Sequence, residues 1–137
     1  MINLAALRQA LGDAVASIDG LNHYGFTPDA PSPPCFYPAE VTMDRTAAGG
    51  RTFGDLRGYD VACRVLTSRA DDLAGQALLD TYLSEGTSDN ILAAIESDQT
   101  LGGIAATVLV YRVDGYRLYT VGADMLYGAT LHVSITG

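Results

Sequence analysis

The chain has 137 residues, one domain by length, and its 48% hydrophobic content is enough to bury a core without a metal or disulfide staple. Sixteen acids stand against eight bases, a formal net charge of −8, and every base is arginine. That balance argues against a surface built for tight nucleic-acid binding or for docking on anionic lipid. The lack of lysine excludes a Walker A loop, a Schiff-base lysine and lysine-held pyridoxal phosphate.

The first segment, Ile2–Ile18, sets Leu4, Leu7, Leu11, Val15 and Ile18 at steps of three and four. This spacing predicts a helix with one apolar face, Asn3 as its N-cap and Gly20 as its terminator. A short strand over 21–26 then runs into Thr27–Pro34, where four prolines in eight residues forbid helix and ladder alike and predict an extended connector. Cys35–Met43 reads as a strand that Pro38 pushes toward an edge or a bulge. The polar, glycine-rich stretch 44–58 is longer than a turn needs, and is expected as a long exposed loop between two hairpin strands. Tyr59–Thr67 alternates, with Tyr59, Val61, Cys63 and Val65 on a buried face and Asp60, Ala62 and Arg64 toward water or a partner.

Asp71 and Asp72, adjacent carboxylates just past that strand, invite a catalytic interpretation. With Ser68 as N-cap, however, Asp71 falls at N3 in a capping-box arrangement, and both acids sit where the helix dipole favours negative charge. No His, Lys or Cys adjoins them, so they mark the start of a helix over 68–83 whose core stripe is Ala70, Leu73, Ala74, Ala77 and Leu78. Thr87 or Ser88 is expected to cap a shorter helix over 89–97, with Ile91, Leu92 and Ile95 inward, closed by 98–103. Three strands follow, 105–113, 116–121 and 126–135, the first two joined by a hairpin turn at Asp114–Gly115. In the last, Ala129, Leu131, Val133 and Ile135 point inward and Thr130, His132 and Ser134 outward. The order α-β-β-β-α-α-β-β-β predicts a single α+β domain over 1–137, a mainly antiparallel sheet with the N-terminal helix and the central helix pair on one face.

Chemistry is sparse in this pattern. Cys35 and Cys63 make no disulfide framework, and Cys63 is in phase with the buried face of its strand, as a free thiol in a core would be. His23 adjoins the proline connector. His132 shares a strand face with Thr130 and Ser134, but no orienting acid marks a triad, so a solvated strand face is expected. No HxxxH or DxDxD spacing appears, and GGRTFG at 49–54 is not a dinucleotide loop. No catalytic, cofactor or metal site is therefore expected. The N-terminus lacks a basic flank with an apolar core, and the charge-free run 99–111 is about half a membrane span, so a soluble protein of a reducing cytoplasm is expected.

Several stretches together carry a resemblance: YGFTPDAPSPP at 24–34, GYDVACRVLTSRADD at 58–72, AGQALLDTYL at 74–83 and AAIESDQTLGG at 93–103. With the N-terminal helix before them, the chain resembles over nearly its whole length the small tail terminator proteins of long-tailed, siphovirus-type bacteriophages, especially those infecting actinobacteria. Its lysine-free composition, rich in Ala, Gly, Asp and Arg, is similar to that of proteins from such high-GC genomes.

The resemblance implies a structural virion protein and no enzyme. Such proteins form a hexameric ring on the head-proximal end of the tail tube, stop its polymerisation and offer the surface that joins the head–tail connector or stopper. DNA passes through the ring without sequence-specific binding. Assembly in the host cytoplasm, incorporation into the virion neck, no cofactor and no membrane contact are implied with it. For the contact with neighbouring proteins the expected segment is the long loop, through Arg45, Arg51, Phe53, Asp55 and Arg57. Its arginines suit an acidic partner, and Phe53 is the aromatic residue of a largely polar loop. Two other interpretations stay open at this point: another neck or head-completion protein, and a small-ligand-binding domain or enzyme with a pocket around His132.

Overall fold

In the computed structural model the residues described are 3–18, 20–26, 28, 32–44, 58–69, 73–84, 86, 89–98, 100–121 and 124–136. Helix α1, Leu4–Ala14, starts where expected: the Asn3 side chain accepts a hydrogen bond from the Ala6 N–H at 3.1 Å. It ends four residues before Ile18. The chain then tightens into i→i−3 bonds, from Ala16 N–H to the Asp13 carbonyl and from Ile18 N–H to the Val15 carbonyl, both 3.1 Å. The apolar phase survives that change, so Leu7, Leu11, Val15 and Ile18 are all buried.

Strand β1, Asn22–His23, lies parallel to the start of β2, Cys35–Asp44, with Asn22 opposite Cys35 and His23 opposite Phe36. The connector between them is tied back by the Asn22 side-chain amide, which donates to the Ser32 carbonyl at 2.8 Å. Strand β2 pairs antiparallel with β3, Gly58–Arg69, and shifts register by one residue between Pro38 and Glu40, the bulge that Pro38 led us to expect. The remaining elements are α2 (Leu73–Leu83), α3 (Ile91–Glu96), β4 (Thr107–Val121) and β5 (Asp124–Thr136). The sheet order is β1-β2-β3-β5-β4, antiparallel throughout except for β1 against β2.

This is a single α+β domain. Helix α1 packs on β2, α2 on β3 and β5, and α3 on β4. The core between helices and sheet takes Leu7, Leu11, Leu79, Tyr82, Ile91 and Ile95 from the helices. From the sheet it takes Val61, Cys63, Val65, Leu131, Val133 and Ile135 among others, the alternating sets of β3 and β5 anticipated from sequence.

Four local expectations need correction. Ser68 lies within β3, five residues before the first helical residue Leu73, so it does not cap α2; Asp71 and Asp72 lie outside the described residues. Helix α2 buries Gly75, Leu79 and Tyr82, while Leu73 is 78% exposed and Ala74 and Ala77 are also exposed. Apolar residues occur all round this helix, and the bulkier Leu79 and Tyr82 take the core face. The cap of α3 is Asn90, whose side chain accepts from the Ala93 N–H at 2.9 Å; Thr87 and Ser88 lie outside the described residues.

The fourth correction concerns the tail. Asp114–Gly115 is no hairpin turn, because β4 runs unbroken from Thr107 to Val121. Asp114 pairs with Thr130 and Arg117 with Gly128, so three steps along β4 match two along β5: one extra residue is accommodated as a bulge. Gly115 adopts φ +64° there, the conformation that a turn would also have asked of it. Tyr116, beside it, turns to the helical side and donates its hydroxyl to Asp80 of α2 at 2.7 Å.

Candidate functional site

With the helices on one face, the strands present a second set of side chains on the other. Strand β3 contributes Asp60, Ala62, Arg64 and Leu66, paired across to His132 and Thr130 of β5 and to Thr42, Glu40 and Tyr37 of β2. Two irregularities of β4 enrich this face. Between Val110 and Arg112 a further one-residue bulge sets both Tyr111 and Arg112 over it, and the bulge at Gly115 brings Arg117 opposite Gly128.

At one end the face is not wet but forms a small second core of Cys35, Tyr37, Leu66, Tyr119 and Leu126. Tyr119 is its centre. Its hydroxyl donates to the Gly115 carbonyl at 2.7 Å and lies 3.0 Å from the Thr130 hydroxyl, so the bulge itself anchors the ring. This buries Thr130, which the alternation had placed outward toward solvent. The ring also needs the glycine under it: a Cβ at Gly128 would stand 3.0 Å from Tyr119 Cδ2. The guanidinium carbons of Arg64 and Arg117 lie 4.5 and 4.3 Å from the Tyr119 ring centroid, two cation–π contacts on one ring. Burial raises the Tyr37 hydroxyl pKa, and the Arg64 guanidinium beside it draws it part of the way back.

The other end is acidic. Tyr111 donates its hydroxyl to Asp60, and that bond to a carboxylate raises its pKa. His132 Nε2 lies 3.0 Å from Asp114 Oδ1, and Arg112 lies 3.7 Å from the other oxygen of Asp114. A shallow cavity of about 280 Å³ opens here, with Glu40, Thr42, Asp60, Tyr111 and His132 in its wall.

Of the residues singled out in the sequence, His132 gains an acid that local reading did not supply, because Asp114 sits eighteen residues away on the neighbouring strand. Thr130 meanwhile is engaged by Tyr119, and Ser134 is exposed. Among the described residues no nucleophile stands at hydrogen-bond distance from this Asp–His pair. His23 is exposed in β1. Cys35 and Cys63 are buried free thiols; burial pushes Cys35 up to about 12 and Cys63 upward as well, so both are protonated at neutral pH and poor nucleophiles. No group of three His, Cys, Asp or Glu side chains that could hold a metal occurs among the described residues. The loop residues Arg45, Arg51, Phe53, Asp55 and Arg57 lie outside the described residues.

A second cavity of about 470 Å³ separates α1 from α3, walled mainly by Ala6, Ala10, Ala14, Ala94 and Ile95, with Asp13 and Asp98 at its rim.

Comparison with protein-family models and with the curated proteins finds no match.

Proposed function

We propose that the chain is the subunit of a tail terminator ring, which caps the head-proximal end of a phage tail tube, stops its growth and presents the joining surface for the head connector. The observation that carries this reading is the uncovered sheet face. Among the described residues helices cover one side of the sheet only; the other exposes Leu109 and Tyr111 at one end and holds Arg64 and Arg117 around Tyr119 at the other. Such a face suits contact with proteins, and polar groups on it are arranged as pairs that hold one another, Tyr111 with Asp60 and His132 with Asp114.

Two further features support the same reading. The sequence stretches that resemble terminators span the connector, β3, α2 and the turn after α3, and a net charge of −8 suits a channel past which DNA must slide without sticking.

Electron microscopy of lysates from the parent phage with a nonsense mutation in this gene tests the proposal. Overlong, headless tails are expected. Tails of normal length beside unattached heads would move the protein to the capsid side of the neck, and intact infectious virions would refute both assignments.

A further inference from the structure

Helix α1 carries more apolar surface than the core uses. Leu7, Leu11 and Val15 turn into the core, and Ala6, Ala10 and Ala14, one position earlier each time, form a second, half-buried row along the cavity of about 470 Å³. The facing wall is α3, through Ala94 and Ile95, and the segment after it supplies Leu101 and Ile104. Ala6 and Ala14 are eight residues apart, about 12 Å along the axis, so the row spans about two turns of a helix laid beside it. Alanine side chains stop at Cβ, and a third helix can come close and seat longer side chains in the groove they leave.

Charge marks the rim of this cleft. Asp13, in the last turn of α1, and Asp98, just past α3, are both exposed on its wall, and no basic residue lines it among the described residues. Gln9 Nε2 donates to Asp13 at 3.0 Å, and the Thr100 hydroxyl and Gly102 N–H donate to Asp98 at 2.7 and 2.8 Å. These neutral donors orient the carboxylates and leave their charge in place. Helix α1 has no basic residue in its last turn, so its carbonyl end adds to the same negative rim. Arg8, the base of α1, lines a different cavity, with Pro38 and Val41.

We propose that the cleft between α1 and α3 docks a basic amphipathic helix of a partner protein, an aliphatic side chain seated on the alanine row and a lysine or arginine three or four residues along meeting the carboxylates of the rim. The wall favours a helix over a small amphiphile, because a row repeating every four residues over two turns matches the repeat of another helix. Burying the aliphatic anchor supplies the attraction, and the acidic rim selects a basic neighbour for it. This inference goes beyond the terminator reading and does not rest on it.

A library of alanine-based helical peptides, randomised along one face and selected against the immobilised full chain, tests it. Enriched peptides should pair an aliphatic residue with a lysine or arginine three or four positions away. Ala10→Leu, which fills the cleft, should weaken the best peptide by about tenfold or more. Asp13→Asn, which keeps an oxygen for Gln9, should weaken it by about two- to fivefold, as for an exposed charge pair. Circular dichroism melts check that both variants fold, and Ala6→Leu replaces Ala10→Leu if the latter melts early. Backbone amide shifts on binding should be confined to α1, α3 and the segment 98–104.

No enrichment, enrichment of peptides without a basic residue, binding that the filled cleft leaves intact, or shifts on the uncovered sheet face would each overturn the docking helix. Decylammonium binding as tightly as the best peptide would assign the cleft to a small amphiphile, and self-association lost on filling the cleft would assign it to a second copy; either overturns the proposal too. None of these results bears on tail length, so the terminator reading falls or stands on the nonsense phage separately.

Discussion

Replacing Gly128 with alanine probes the second core directly. A glycine inside a strand ordinarily costs about 0.5–1 kcal/mol relative to alanine, so propensity alone would have Gly128→Ala stabilise the protein. The surroundings reverse the sign. The new Cβ would stand 2.6 Å from both Leu66 Cδ2 and the Val65 carbonyl oxygen, and 3.0 Å from Tyr119 Cδ2. The leucine methyl can rotate away, but the carbonyl belongs to β3, whose ladder to β5 runs through this pair of residues. Restoring van der Waals distance means parting the two strands by about half an ångström, an overpacking cost of about 1–3 kcal/mol. The backbone neighbour puts the cost in the upper part of that range, so the net loss should be about 2 kcal/mol. At this chain length that corresponds to a fall in Tm of about 6–10 °C. Thermal and urea melts followed by circular dichroism measure it, with the urea midpoint shifting at unchanged slope. A variant as stable as the wild type would refute the close approach of the strands under Tyr119, and the anchoring of the arginine pair with it.

Gly12→Ala in α1 should also destabilise, by about 1–2 kcal/mol in urea melts, although alanine is the better helix former by about 1 kcal/mol; the Cβ would stand 2.7 Å from the Tyr24 carbonyl oxygen. Asn90→Ala should cost about 1–3 kcal/mol in the same assay, since it removes the α3 cap and the 2.6 Å bond from the Asn90 amide to the Ser84 carbonyl. Asp98 is held below the usual carboxylate range by the Thr100 hydroxyl first, then by the Gly102 and Thr100 N–H groups. Its contribution is therefore complete above the ordinary carboxylate pKa and is lost as pH falls through the lower, folded value. An NMR titration of its carboxyl carbon should give a midpoint below 3.8, and a midpoint at or above it would contradict this turn geometry. Both thiols should react with a thiol reagent only as fast as the protein opens; rapid labelling of Cys63 in native protein would contradict its burial in the core.

The strands were legible because alternation is a local property: β3 and β5 each carry their buried set on every second residue, and Pro38 announced its own bulge. What escaped depends on contacts far apart in sequence. Asp114–Gly115 carries the same local preference for positive φ whether the chain reverses there or bulges; β4 bulges because its residues on both sides remain paired to β5. Helix α2 offers apolar residues in nearly every direction, so its periodicity could not say which would meet β3. Thr67 helps to fix it, donating from β3 to the Gly75 carbonyl at 2.9 Å. Arg64 was legible as an outward residue, but the Tyr119 ring that it packs over comes from β4 more than fifty residues later, and nothing local to either marks the meeting.

Strand addition to this domain is constrained by its sheet edges. An open edge is a template for strand addition, and β4 is long enough to serve. Yet β4 carries two bulges, at Val110–Arg112 and Asp114–Arg117, with arginines at both, and its Val110 N–H is already held by the Glu96 carboxylate at 3.1 Å. At the opposite side β1 covers only the first two residues of β2, and the remainder of that edge is interrupted by the bulge at Pro38–Glu40. Each irregularity bends the strand away from a straight partner and leaves an extra residue out of the ladder. Edge-to-edge addition would have to straighten both strands at once.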